Sequence, residues 1–132
     1  MKEASVPGFI RRRELLDGEG SSREALASQG GDFYSLGLLD EALTFFAEAG
    51  DREGMEKVLE KSRSQGDAFT FEAALRALGK SASRSDWKDV GEKALAAGQL
   101  WFSYRAFEKA DHQTGLEEVR RIMAEKEIPP PL

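Results

Sequence analysis

Few side chains in this sequence are equipped for acid–base or nucleophilic work. His112, the only histidine, directly follows Asp111, and a carboxylate beside an imidazole is the start of a proton-transfer dyad. The sequence places no nucleophile near the pair, which falls between two helical stripes, so a turn or helix-end role is expected. Paired carboxylates at Glu117–Glu118 and Glu53–Glu56 have the chemistry of a general acid and base. They fall on polar helix faces with no histidine partner and read as solubilising charges. There is no cysteine, which excludes thiol nucleophiles, thiolate metal sites, Fe–S clusters and disulfides. The expectation is a chain that is not an enzyme and takes no metal and no cofactor.

Binding chemistry is similarly constrained. Arg11, Arg12 and Arg13 form the only dense basic cluster, and Glu14, Asp17 and Glu19 neutralise it at once. With 19 Lys and Arg against 24 Asp and Glu the net charge is −5, a poor basis for neutralising phosphates, so no nucleic-acid partner is expected. Gly18-Glu19-Gly20-Ser21-Ser22 lacks the lysine and preceding strand of a phosphate loop and reads as a linker. No segment approaches the roughly 18 apolar residues of a membrane span. Neither a membrane partner nor a signal peptide is read, and the expected location is cytoplasmic. Hydrophobic residues nevertheless make up 40% of the 132, enough for a core in one domain.

The elements follow from punctuation and periodicity. Proline occurs only at Pro7 and Pro129–Pro131, and the stretch between is rich in Ala, Leu, Glu, Lys and Arg. Apolar residues recur at helical spacing: Leu39, Ala42, Phe45, Phe46 and Ala49; Phe71, Ala74, Leu75 and Leu78; Leu116, Val119, Ile122 and Met123. No two-residue alternation suggests a strand, so the fold class is all-α. Helices are predicted over 22–36, 38–49, 52–65, 67–78, 85–97, 99–110 and 113–126, with a shorter turn at Phe9–Leu16. Gly50, Gly66, Gly79 and Gly98 fall where helices should stop, and Ser83–Asp86 has the spacing of a capping box. Gly30–Gly31 is a potential break in the first long helix. Residues 1–20 read as an N-terminal extension, 21–127 as the helical domain and 128–132 as a proline-rich tail.

An internal repeat is also present. GLLDEALTFFAEAGD, GDAFTFEAALRALGK and GQLWFSYRAFEKADH begin at Gly37, Gly66 and Gly98, spaced by 29 and then 32 residues. In this register Phe46, Leu75 and Phe107 coincide, as do Ala49, Leu78 and Ala110. FAEAGDREGMEKV and FEKADHQTGLEEV are similar over their whole length. Trp87, Val90 and Gly91, then Ala42, Phe46 and Ala49, then Ser103, Phe107 and Ala110, resemble the two helix signatures of the tetratricopeptide (TPR) family, roughly over residues 24–126. Ala94 stands where the family has tyrosine, the closing prolines are absent, and the spacing falls short of about 34 residues.

The resemblance implies a right-handed stack of antiparallel helical hairpins (a TPR-like α-solenoid) that exposes the first helix of each pair on an inner face. Its outward-pointing residues would include Glu24, Tyr34, Glu53, Glu56, Glu60, Arg63, Lys88, Glu92, Glu117 and Arg121. The expected function is a non-catalytic interaction scaffold whose acidic-leaning face takes a basic or amphipathic peptide. Tyr34, Glu53, Glu56, Glu60, Lys88 and Glu92 are the partner-binding candidates. With no asparagine in the chain, the family's clamp for a partner's C-terminal carboxylates is not carried over. Leu100, Trp101, Phe102 and Tyr104 cannot all face one core, so Trp101 or Phe102 is expected to stand partly exposed as a docking or self-association point. The rival readings are a homo-oligomer and nucleic-acid binding through Arg11–Arg13.

Overall fold

The computed structural model describes residues 22–130. Seven helices occupy them: α1 (Ser22–Ser35), α2 (Leu39–Ala49), α3 (Arg52–Gln65), α4 (Ala68–Leu78), α5 (Arg84–Ala96), α6 (Leu100–Ala110) and α7 (Gln113–Glu125). No strand occurs among the described residues, so the all-α expectation holds. The turn expected at Phe9–Leu16 and the extension over residues 1–20 lie outside them. The chain divides into two compact units, one ending at Val58 and the other beginning at Leu59, with the division inside α3.

Every helix ends in the same way. The residue after the helix, or one further on, adopts a left-handed conformation, and the next amide reaches back five residues. Asp51 N donates to Phe46 O at 2.9 Å, Lys80 N to Leu75 O at 2.9 Å and His112 N to Phe107 O at 3.0 Å. Gly37, Gly50, Gly66, Gly79 and Gly98 fill five of these left-handed positions, while Asp111 (φ 53°) and Glu127 (φ 57°) fill the other two. The closure satisfies carbonyls the helix leaves free, and twice the following Asp caps the next helix: Asp51 Oδ1 accepts from Gly54 N and Asp67 Oδ1 from Thr70 N, both at 3.0 Å. Ser83 and Asp86 form the expected capping box of α5.

Asp111 is one of the two strained members of the set, with Glu127. A left-handed backbone costs an ordinary residue about 1–2 kcal/mol, less for Asp, and glycine avoids it. The side chain's own contacts are exposed, to Gln113 Nε2 at 3.1 Å and Arg84 at 4.0 Å, and contribute little. Asp111→Gly is therefore expected to raise stability by about 0.5–1 kcal/mol, read as a higher urea midpoint with an unchanged slope.

In the first unit α1 packs against α2. Leu26, Phe33, Leu39, Ala42, Leu43, Phe45 and Phe46 are buried, and the Phe33 and Phe45 rings meet at 5.2 Å. The second unit packs α5 against α6, α6 against α7, and α4 against both α5 and α6. Its core joins Tyr104, Phe107, Leu116, Val119 and Met123, with Phe71 edge-on to Trp87 at 5.0 Å.

One packing motif appears in both units. The Phe46 ring lies against Gly30 of α1 and Gly54 of α3, where a Cβ at either glycine would collide with it. The Phe107 ring lies in the same way against Gly91 of α5 and Gly115 of α7. All three positions are displaced by 61 residues from one unit to the other. Gly30–Gly31 does not break α1, which runs through both residues, because the missing side chain at Gly30 makes room for the ring.

Candidate functional site

The acidic side chains proposed to bind a partner are carried by α3, whose sequence REGMEKVLEKSRSQ alternates apolar Met55, Val58 and Leu59 with charge. Met55, Val58 and Leu59 are buried, which leaves Glu53 and Glu60 exposed and Glu56 half-buried on the polar side. Arg52 approaches Glu56 at 3.9 Å, a one-turn pair that offsets part of the acidic character. Tyr34 is half-buried on α1 in the first unit. On α5 in the second, Lys88 and Glu92 are exposed and face each other at 3.9 Å.

Arg63 is committed elsewhere. Its guanidinium reaches Asp86 Oδ1 and Asp89 Oδ2, both at 3.0 Å, and so ties the end of α3 to the start of α5. Asp89 also accepts from Lys93 at 2.8 Å. The Ser83 amide and hydroxyl together with Arg63 hold the Asp86 carboxyl below its ordinary range, and Lys93 and Arg63 do the same for Asp89. Depressed carboxylate pKa values in the folded state mean that the unfolded chain takes up protons first on acidification. Stability contributed by the cluster is thus complete above the ordinary carboxylate pKa of about 4 and lost as pH falls through the folded values. Arg63→Gln is expected to cost about 1 kcal/mol at neutral pH and to flatten the fall in stability below about pH 4, measured by urea titrations across pH.

The aromatic run at the start of α6 is sorted by the helix. Tyr104 is buried, Leu100 and Phe102 are half-buried, and Trp101 stands 52% exposed. Sequence reasoning missed Phe69, which is 66% exposed at the second position of α4. The signal was present in the repeat register, where Phe69 occupies the position of Trp101. Leu36 and Leu38, 47% and 41% exposed in the α1–α2 junction, were also missed.

His112 precedes α7 with its ring 5.3 Å from that of Phe107 and makes no side-chain cap. Among the described residues, no group of three or more His, Asp or Glu side chains could hold a metal ion. An open apolar cavity of about 250 Å³ lies beside α7, lined by Met123, Ala124, Ile128, Arg120 and Pro130. No described helix is long and apolar enough to cross a membrane. Arg11–Arg13 lie outside the described residues. Neither a family model, nor a curated protein, nor a solved structure matches the chain.

Proposed function

We propose that this chain is a non-catalytic protein-interaction module, a right-handed stack of TPR-like helical hairpins that binds a basic or amphipathic peptide on its acidic helix faces. A cytoplasmic setting belongs to the same proposal. The observation that carries it is the repeated packing motif, with a phenylalanine ring set between two glycines in each unit, 61 residues apart. Repetition of this kind characterises arrays whose hairpins bury their apolar faces on one another and leave long polar faces for partners. Glu53, Glu56 and Glu60 supply the charge, with Tyr34, Lys88 and Glu92 as further contacts.

The test is a selection of random displayed peptides against the wild-type chain and a folded Glu53→Lys/Glu56→Lys/Glu60→Lys variant. Recovery of Lys- and Arg-rich peptides by the wild type alone is expected. Identical peptide sets from both baits would remove the acidic face from consideration. The second reading is a homo-oligomeric adaptor, which is favoured by the four large apolar side chains the described residues expose.

A further inference from the structure

The displacement of 61 residues that relates the two packing motifs also relates whole elements. It carries α2 (Leu39–Ala49) onto α6 (Leu100–Ala110) end for end, and α1 and α3 onto α5 and α7 to within one residue. In the second unit a further helix, α4 (Ala68–Leu78), packs against α5 and α6. The same displacement puts its counterpart in the first unit at residues 7–17.

The sequence there is punctuated as a helix of the same length. Pro7 stands in the place of Ala68, the first residue of α4, where its fixed φ suits a helix and no amide donor is needed. Gly18 stands in the place of Gly79, whose left-handed backbone (φ 67°) closes α4. Residues 18–22, GEGSS, then align with residues 79–83, GKSAS.

The contacts that hold α4 have counterparts as well. Phe71 of α4 stands edge-on to Trp87 of α5 at 5.0 Å, and the residues at those two positions in the first unit are Ile10 and Leu26, both apolar. Glu72 lies 3.2 Å from Lys109 of α6, and the corresponding pair is Arg11 and Glu48, with the signs exchanged. Glu48 is exposed on α2. Charge matches on a larger scale too. Helix α4 has one acid and one cation, and the α5–α6 pair through Asp111 has five of each. Residues 9–16, FIRRRELL, have three cations against one acid, and residues 22–58 of the first unit have three cations against eight acids. A neutral helix thus lies on a neutral pair in the second unit, and a basic segment adjoins an acidic pair in the first. Arg13 and Asp17 replace Ala74 and Leu78, which the helical repeat turns away from Glu72. On the stripe of Phe71 and Glu72 the one change from apolar to charged is Glu14, in the place of Leu75.

We propose that residues 7–17 form a helix that docks on α1 and α2 of the same chain as α4 docks on α5 and α6, with Ile10 against Leu26 and Arg11 paired with Glu48. The arginine cluster then has an internal role in the first unit, which lies outside the peptide-binding reading and takes the cluster away from nucleic acid.

Amide hydrogen exchange on the full chain tests it residue by residue. Amides of residues 11–16 are expected to exchange at least about tenfold more slowly than unstructured chain. Arg11→Glu and Glu48→Arg should each reduce this protection, and the double variant Arg11→Glu/Glu48→Arg should recover it. Glu14→Leu, which supplies the residue type of Leu75, should strengthen it. Unchanged protection in α5 and α6 is the control for folding in every variant. Exchange of residues 11–16 at the unstructured rate in the wild type would overturn the proposal. So would protection that Glu48→Arg leaves untouched or that the double variant fails to recover, because the helix would then lie elsewhere. Protection that grows with protein concentration would place the contact between copies, and would overturn docking within one chain.

Discussion

Gly66→Ala is expected to destabilise the second unit by about 3–4 kcal/mol, whereas Gly79→Ala should cost only about 1 kcal/mol. Both glycines are left-handed helix terminators with nearly equal dihedrals, φ 73° and 67°. Each substitution therefore incurs a similar conformational penalty of about 1–2 kcal/mol. The difference lies in what a methyl group would meet. At Gly79 nothing lies within 4 Å, but at Gly66 the new Cβ would be driven into the main chain of Lys93 and Ala94. Hydrogen-bonded backbone in the last turn of α5 cannot step aside as a flexible side chain would, and overpacking of this kind adds about 1–3 kcal/mol. Urea unfolding of the two variants side by side separates the contributions. Equal losses would show that α5 does not approach Gly66 as closely as described.

Phe107→Ala should cost about 3–5 kcal/mol, at the upper end for large-to-small core changes. The ring is 2% exposed and is faced by Gly91 and Gly115, which have no side chains that could relax into the space it vacates. The converse substitution supplies the check. A Cβ at Gly91 would lie 2.6 Å from Phe107 Cε1, so Gly91→Ala should destabilise by about 1–2 kcal/mol although alanine is the better helix former. In the double variant Gly91→Ala/Phe107→Leu the smaller side chain opens room for the methyl, and the combined loss should fall below the sum of the two single losses. Additive losses would mean that the two residues do not share a packing site.

The middle repeat follows the same size rule from the other direction. In the repeat register Leu75 takes the place of Phe46 and Phe107, and Leu59 takes the place of Gly30 and Gly91. A large ring goes with glycine, and a leucine goes with leucine.

Helix positions were legible because every stop is written in residues with strong local preferences. Gly50-Asp51 and Gly66-Asp67 each end one helix and begin the next, and the predicted bounds over 52–65 agree with α3 at both ends. Asp111 and Glu127 were harder to read as terminators because neither residue type favours a left-handed backbone; only alignment with Gly50 hinted at the role of Asp111. The potential break at Gly30–Gly31, which the helix runs through, has a related cause. Glycine weakens a helix by its local propensity, yet a ring more than ten residues away in sequence can require one. The ionic commitments were less legible still. Arg63 looked like a free groove residue because its partners lie 23 and 26 positions along the chain. Phe69 went unassigned because FTF within an apolar stripe does not reveal which phenylalanine faces water.

The junctions between helices differ in how much slack they leave. Those closing α1, α2, α3, α5 and α6 have two or three residues, nearly all engaged in closure or capping, while Gly79–Ser83 has five. A protease must draw an extended stretch of substrate into its cleft, and a two-residue turn between hydrogen-bonded helices cannot supply one without local unfolding. Lys80, Ser81 and Ser83 are exposed in the longer junction. Among the described residues this is where the folded chain can be nicked, or can receive an inserted sequence, at the least cost to its helices. Trimming and lengthening over time would concentrate there, while the tight turns kept their length.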